Sequence, residues 1–221
     1  LVRPSSVALM PDDNLFYSDL GAGSIHVFDR NYLYLGTCDR PGGGFAPLDM
    51  ATLGFHLYVL DQSSLTVYRF QRDGALRDVI LDISELDPAQ PVRPSALDVD
   101  EDGRFALADE AGHRVVVTSP FLDFDYAIGE YGRLVGQMVE PRGVCFGPSG
   151  VLYVSDRGNR RVTLYDETGR YLANTPGVDD PEPLLLAPSG LDCDRFGNVY
   201  VCDTGNHRIQ HLSTSGEVLE V

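Results

Sequence analysis

The sequence predicts an all-β fold made of five copies of one four-stranded unit, and three regularities carry this prediction. Proline recurs at Pro4, Pro47, Pro94, Pro141 and Pro188, with spacings of 43, 47, 47 and 47 residues. Aspartate recurs almost in step, at Asp19, Asp61, Asp109, Asp156 and Asp203. Six residues after each aspartate stands a β-branched apolar residue, at Ile25, Val67, Val115, Val162 and Ile209. Markers of different chemistry that recur together indicate one supersecondary unit repeated along the chain.

The fifth copy shows most clearly what one unit contains. Its apolar or alternating runs predict strands at Gly190–Asp194, Asn198–Asp203, Arg208–Leu212 and Glu217–Val221. Turn residues separate these runs, among them Gly197 and Gly216. No window of the sequence keeps a period of 3.6 between helix caps, so almost no helix is expected. Four-stranded units of about 40–50 residues have the length of β-propeller blades.

The repeat frame divides the chain into five blades within a single domain of residues 1–221. The predicted blades are residues 3–40, 45–82, 92–129, 139–175 and 186–221. The alternative to a five-bladed ring is a six-bladed ring that has diverged or been truncated. In the five-bladed reading, residues 1–2 are too few to add a strand to the last blade. The ring is then expected to close by packing of the first blade against the fifth, without a shared strand.

Two segments at corresponding positions resemble a known repeat. The sequences YVSDRGNRRV (153–162) and YVCDTGNHRI (200–209) closely resemble the NHL repeat. The segment from Ile128-Gly129 through Gly136-Gln137 to Val139-Glu140-Pro141 also resembles the join between NHL blades. The resemblance implies a propeller whose blades each place the first strand near the axis and the last strand on the rim. NHL domains of tripartite-motif ubiquitin ligases commonly have six blades and bind RNA or protein through the loop face.

Charge and cysteine content narrow the function classes. The chain has 17 basic and 33 acidic residues and a formal charge of −16, which repels nucleic acid and anionic lipid at long range. It has no run of 18 apolar residues, so no membrane insertion is expected. The four cysteines (Cys38, Cys145, Cys193 and Cys202) show no metal-binding spacing. They are expected to be buried free thiols, which favours a reducing, cytoplasmic location.

The loops after the repeated aspartates hold the best-defined basic sector of the sequence. Since these loops are equivalent, their side chains are expected on one face of the disc. The predicted partner-binding residues of these loops are His113, Arg114, Arg157, Arg160, Arg161, His207 and Arg208, joined by Arg142 beside the blade-opening Pro141. They predict recognition of an acidic protein surface or peptide. Single-stranded RNA is the alternative, but the first two loops carry no positive charge.

Some of these side chains also have a structural interpretation. Each arginine five residues after an aspartate is close enough to pair with it, as Arg161 is to Asp156. Asn159 and Asn206 are expected to adopt the left-handed turn conformation. Arg157, Arg160 and His207 have no obvious internal partner in the sequence.

An enzymatic interpretation rests on carboxylates of the innermost strands. Asp49, Asp98 and Asp192 are weak candidates for a channel metal site, of the kind that supports lactonases and lyases on propellers. Of these, only Asp98 and Asp192 stand at equivalent repeat positions, and two carboxylates do not supply the six or more oxygen ligands of a Ca²⁺ site. No nucleophile elbow, P-loop or dinucleotide fingerprint is present. No cofactor is expected. The sequence therefore predicts a monomeric, non-catalytic recognition domain, and the resemblance implies the C-terminal substrate-binding domain of a tripartite-motif ligase. A metal-dependent hydrolase or lyase is the second alternative.

Overall fold

The computed structural model describes residues 2–38, 43–177 and 179–220 and contains twenty strands in five separate sheets. Each sheet has four consecutive, antiparallel strands. The first two blades are formed by β1 (Pro4–Leu9), β2 (Leu15–Asp19), β3 (Ser24–Phe28), β4 (Tyr34–Cys38), β5 (Pro47–Leu53), β6 (His56–Asp61), β7 (Thr66–Gln71) and β8 (Leu76–Asp82).

The third and fourth blades are formed by β9 (Pro94–Val99), β10 (Phe105–Asp109), β11 (Arg114–Thr118), β12 (Phe124–Ile128), β13 (Pro141–Phe146), β14 (Leu152–Asp156), β15 (Arg161–Tyr165) and β16 (Tyr171–Asn174). The fifth is formed by β17 (Pro188–Cys193), β18 (Val199–Asp203), β19 (Arg208–Leu212) and β20 (Val218–Glu220). Three short 3₁₀ segments, Ile83–Glu85, Pro148–Gly150 and Thr204–Asn206, are the only helical residues in the described ranges. The predicted all-β propeller of five four-stranded blades is confirmed. The predicted ends of the first blade at residue 40 and of the last strand at Val221 lie outside the described residues.

The repeated proline and aspartate form one row across each sheet. Pro141 pairs with Asp156, and Asp156 pairs with Arg161 on the next strand. The same row recurs in the other blades, as Pro4–Asp19–Ser24, Pro47–Asp61–Thr66, Pro94–Asp109–Arg114 and Pro188–Asp203–Arg208. The row therefore marks one end of every blade. We call the surface formed by these ends, the loops after the aspartates and the connections between blades the proline face.

The hydrophobic core consists of four clusters, each of which joins two consecutive blades. Strand alternation explains the arrangement, because successive side chains point to opposite faces of a sheet. In the cluster between the second and third blades, Tyr58 and Leu60 pack towards Leu107. Between the fourth and fifth blades, Tyr153 and Val201 occupy the positions of Tyr58 and Leu107.

A fifth cluster, between the fifth blade and the first, does not occur among the described residues. The inner strands β1, β5, β9, β13 and β17 lie side by side in this order, but β17 and β1 make no comparable approach. The expected packing of the first blade against the fifth is therefore wrong, and the sheet of the fifth blade consists of its own four strands, β17–β20. The blades form an open arc.

The cysteines correct a second expectation. Cys145 and Cys193 form a disulfide between the inner strands of the fourth and fifth blades. Adjacent inner strands bring residues one repeat apart together, and the two Cα atoms are 6.2 Å apart, within the range a disulfide bridges. The expected free thiols are thus wrong for this pair, and the cytoplasmic location inferred from them loses its basis and stays a prediction. Cys202 is a free, exposed thiol, and Cys38 is buried between the first two blades.

No helix in the described ranges is long and apolar enough to cross a membrane.

Candidate functional site

The repeated aspartates fasten the connections between blades on the proline face. Each buried carboxylate accepts a backbone N–H from the residues that precede its own blade: Asp19 from Val2 and Arg3, Asp61 from Ala46, Asp109 from Arg93, Asp156 from Val139 and Asp203 from Leu186. Four backbone N–H groups, first that of Val2, lower the pKa of Asp19 to about 2. Burial raises the pKa of Asp156.

The arginines five residues after the aspartates hold the rest of each connection. Arg161 is buried, pairs with Asp156 at 3.0 Å and donates to the carbonyls of Arg133, Leu134 and Gln137. Arg114 is also buried and pairs with Asp109 and with Asp87 of the preceding connection.

Arg208 repeats the arrangement with Asp203 and the carbonyl of Leu184, but 32% of its side chain stays exposed. A partner therefore does not reach Arg114 and Arg161 in this structure, and all three arginines act within the fold.

The left-handed turn lies one residue later than expected. The fourth position after every aspartate has positive φ, at Gly23, Leu65, His113, Arg160 and His207. The prediction of this conformation for Asn159 and Asn206 is wrong, because their side chains bond the aspartates instead. Asn159 donates to Asp156 at 2.7 Å, and Asn206 donates to Asp203 at 2.7 Å.

The connection between the third and fourth blades presents an exposed apolar surface. Tyr131, Leu134 and Val135 are 70%, 72% and 68% exposed. The backbone beneath them is fixed by the three Arg161 bonds and by Asn159, whose amide donates to the carbonyl of Gly132. We call Tyr131, Arg133, Leu134 and Val135 the loop patch.

Basic side chains of the neighbouring loops surround the loop patch. The His113 ring lies 4.9 Å from the Tyr131 ring, centroid to centroid, and its Nδ1 accepts the backbone N–H of Glu140. Arg157 pairs with Glu140 at 2.9 Å, and its side chain is 39% exposed. Arg160 is half-buried, and no ion pair within the described ranges engages it. His113 belongs to the loop after Asp109, and Arg157 and Arg160 belong to the loop after Asp156; both loops lie beside residues 129–139.

The two remaining predicted residues lie on the same face. Arg142 pairs with Glu110 at 3.0 Å, with 41% of its side chain exposed. His207 is exposed in the loop of the fifth blade. Since acidic residues already accompany Arg142 and Arg157, the basic sector is less positive than the sequence alone suggests.

The inner-strand carboxylates of Asp49 and Asp98 each bridge two blades. Asp49 accepts the N–H of Leu97 from the next blade at 2.9 Å, and Asp98 accepts that of Phe146 at 2.7 Å. Burial raises their pKa values to about 6 and about 7. Asp192 accepts only the N–H of Cys193 in its own strand.

Within the described ranges, no three His, Cys, Asp or Glu side chains are arranged to hold a metal ion.

The opposite face carries a cavity of about 640 Å³ around the far ends of the inner strands. Asp100, Glu101, Asp102, Glu167 and Asp194 line it together with Arg104 and Arg195. Arg104 pairs with Asp100 at 2.7 Å. The lining is strongly charged, and Arg195 lies over the Phe196 ring, 4.8 Å from its centroid.

The loop patch is not among the residues predicted from the sequence, where residues 129–139 resemble a join between blades. Tyr131, Leu134 and Val135 outside any predicted strand are the signal of exposed apolar surface that could have revealed it.

Comparison with known proteins places this geometry in context. The family described as "SMP-30/Gluconolactonase/LRE-like region" matches residues 4–221. WD repeat-containing protein 90 of Homo sapiens is 31% identical over 191 residues, 81% of this chain and 11% of that protein. NHL-repeat-containing protein 4 of Mus musculus is 29% identical over 118 residues, 53% of this chain and 79% of that protein.

Among solved structures, a streptogramin B lyase aligns with a TM-score of 0.74 at 14% identity, over 100% of this chain and 68% of the lyase. This likeness shows the fold alone. The chain spans about a tenth of the length of the human relative.

Proposed function

The chain belongs to the SMP-30/gluconolactonase/LRE-like family, and we propose that within it this propeller is a non-catalytic module that recognises a protein partner through the proline face. The partner segment we propose combines apolar side chains, which cover the loop patch, with carboxylates, which engage the neighbouring arginines and histidine.

The observation that carries the proposal is the prebuilt loop patch. Exposed tyrosine and arginine are the residue types that dominate the energetics of protein interfaces. An exposed loop ordinarily loses conformational freedom on binding, which weakens association. Here Arg161 and Asn159 already fix the backbone with four hydrogen bonds to carbonyl groups, so less ordering is required.

The charges around the patch supply specificity more than affinity. An exposed ion pair, such as one between Arg157 and a carboxylate of the partner, contributes only about 0.2–1 kcal/mol. Burial of Tyr131, Leu134 and Val135 at about 25 cal/mol per Å² supplies more. Acidic residues of the partner then orient it and speed its approach.

The similarity to an NHL-repeat protein agrees with a recognition role. The finer assignment, a C-terminal substrate-binding domain of a tripartite-motif ubiquitin ligase, stays part of the proposal. RNA recognition is less favoured, because Arg114 and Arg161 are occupied within the fold and the chain carries 33 acidic against 17 basic residues.

A displayed library of random peptides tests the proposal directly. Selection on the chain is expected to enrich peptides in which Asp or Glu stands beside aliphatic or aromatic residues. The enriched peptide is then titrated against wild type, Tyr131→Ala and the double variant Arg157→Glu/Arg160→Glu. Both variants should weaken its binding by about tenfold or more.

The matched control is Arg170→Glu/Arg195→Glu, which makes the same charge change on loops of the opposite face. It should bind like wild type. Equal weakening by both double variants would show a general charge effect and refute the proline face. Micromolar binding of a mixed single-stranded RNA pool that weakens steeply with salt would replace the proposal by an RNA-binding function.

A further inference from the structure

We propose that the Cys145–Cys193 disulfide is a site of thiol–disulfide exchange, and that a small thiol carrying a cationic group reaches it through the cavity on the opposite face. This inference is independent of the proposed function of the proline face. Three features point to such a site: the unequal burial of the two cysteines, the other contacts that join the fourth and fifth blades, and the charge of the cavity.

The two cysteines differ in their access to solvent. Cys193 is half-buried and belongs to the lining of the cavity, whose volume of about 640 Å³ lies in the range of small-molecule sites. Cys145 is 2% exposed and lies in the hydrophobic cluster between the fourth and fifth blades. Thiol–disulfide exchange requires that a thiolate reach one sulfur of the bond. The cavity therefore directs an incoming thiolate to Cys193, and Cys145 is the leaving group.

The exchange takes place in two steps. In the first, the small thiolate forms a bond to Sγ of Cys193 while the protein S–S bond breaks, and Cys145 leaves as a thiolate that takes up a proton. In the second, the thiolate of another small molecule attacks the outer sulfur of this mixed disulfide, and Cys193 leaves as a thiolate. Two small thiols are thereby oxidised to one small disulfide, and the protein disulfide is reduced to two thiols.

The disulfide takes the place of a non-covalent contact between neighbouring inner strands. Cys145 holds the position in the fourth blade that Asp98 holds in the third, since each lies opposite a residue three before the repeated aspartate. Asp98 accepts the backbone N–H of Phe146, in the next inner strand, at 2.7 Å. A hydrogen bond at this position is therefore enough to join the third and fourth blades, and the fold does not depend on a covalent bond there.

Other contacts join the fourth and fifth blades independently of the sulfur atoms. Tyr153 and Val201 belong to the hydrophobic cluster between these blades. The Ser155 hydroxyl donates to the carbonyl of Ser189, and the Tyr153 hydroxyl donates to that of Thr214. We therefore expect the reduced protein to stay folded, with a lower free energy of unfolding, so that exchange takes place in the native state.

The charge of the cavity selects the kind of thiol. The lining holds five carboxylates and two guanidinium groups, those of Asp100, Glu101, Asp102, Glu167, Asp194, Arg104 and Arg195. Arg104 pairs with Asp100, so most of the remaining lining is negative. A cleft lined by one sign of charge raises the local concentration of the opposite charge by about 10–10³-fold. An aminothiol is therefore favoured at Cys193, and a thiol with a sulfonate or carboxylate group is repelled.

The test measures reduction of the disulfide in the native chain by cysteamine and by the anionic thiol 2-mercaptoethanesulfonate. Free thiols are alkylated at intervals, and peptide mass spectrometry reports the alkylated fractions of Cys145 and Cys193. Each rate is divided by the rate at which the same thiol reduces 2-hydroxyethyl disulfide, which is neutral. This ratio should be about tenfold or more higher for cysteamine at low salt, and the difference should shrink at about 0.5 M salt. Equal ratios for the two thiols would overturn the proposal.

Charge-neutralising variants locate the path of entry. Glu101→Gln/Glu167→Gln removes two exposed carboxylates of the cavity and should reduce the preference for cysteamine to about threefold. The matched control is Glu85→Gln/Glu182→Gln, which removes two exposed carboxylates from the connections of the proline face and should leave the preference unchanged. An equal decrease in both double variants would show a general effect of net charge and overturn entry through the cavity.

The position of the first adduct provides a second measurement. Acid quenching early in the reaction should trap the cysteamine adduct on Cys193, and an adduct on Cys145 instead would contradict the assigned direction of attack. The rate should also be insensitive to urea below the unfolding transition. A rate that rises in proportion to the unfolded fraction would show that only the unfolded chain is reduced, and the disulfide would then be structural.

Discussion

Replacing Arg161 by alanine tests whether this buried arginine builds the loop patch. The change leaves the fully buried Asp156 carboxylate without its cation and releases the carbonyls of Arg133, Leu134 and Gln137. Breaking a buried ion pair costs about 3–5 kcal/mol. We expect the lower end, about 3 kcal/mol, since Asp156 keeps its bonds from Val139 and Asn159.

Arg208→Ala is the matched control, because Arg208 makes the same pair with Asp203 but is 32% exposed. Solvent screens this pair, so the expected loss is about 1 kcal/mol. Urea unfolding of both variants measures the difference, as a shift of midpoint at unchanged slope. Arg161→Lys should recover only part of the loss, since an ammonium group cannot reproduce the planar fork. The reasoning is refuted if Arg161→Ala is no more destabilising than Arg208→Ala.

Two further predictions concern the inner strands. Reduction of the Cys145–Cys193 disulfide, whose cysteines are 48 residues apart, should lower the free energy of unfolding by about 4 kcal/mol, the value expected from loop-closure entropy. The control Cys202→Ser should change the free energy of unfolding little. A urea midpoint that does not change on addition of reductant would contradict the disulfide. In the folded state the pKa of Asp98 is raised from 3.8 to about 7. Between pH 3.8 and pH 7 the folded protein therefore holds a proton on Asp98 that the unfolded chain has lost, so stability falls as the pH rises through this range. A pKa difference of this size corresponds to about 4 kcal/mol of stability. We expect about half of this loss, because the Asp98 side chain keeps some contact with water. Asp98→Asn should therefore flatten the fall in stability between pH 5 and pH 8, as followed by thermal unfolding; an unchanged pH profile would show that Asp98 does not carry it.

The repeat could be predicted from the sequence because the same local rules recur five times. Proline opens each inner strand, aspartate ends the second strand, and both markers survive in the weak early copies, so the strand frame was accessible. In the fifth blade the predicted strand Arg208–Leu212 matches β19 without correction.

Features that depend on how blades meet could not be predicted in this way. Cys145 and Cys193 lie in different repeats, and only the side-by-side inner strands bring them together. The exposure of Tyr200 could not be predicted for the same reason, since Tyr200 and Tyr153 hold equivalent places in the repeat and only Tyr153 is covered by a following blade.

The candidate site was predicted in part. The loops after the aspartates do lie together on the proline face, but Arg161 turns inward to carbonyl groups that sequence spacing does not reveal. The left-handed residue was misplaced by one, because Asn159 uses its amide to bond Asp156 and leaves the turn to Arg160.

Hydrogen–deuterium exchange with and without the peptide selected from the library tests the central claim most directly, because it reports which face is covered. Our account predicts slower exchange in residues 129–139 and 157–160 when the peptide is bound. Unchanged exchange there, with protection of residues 100–104 and 147–150 on the opposite face, would contradict it.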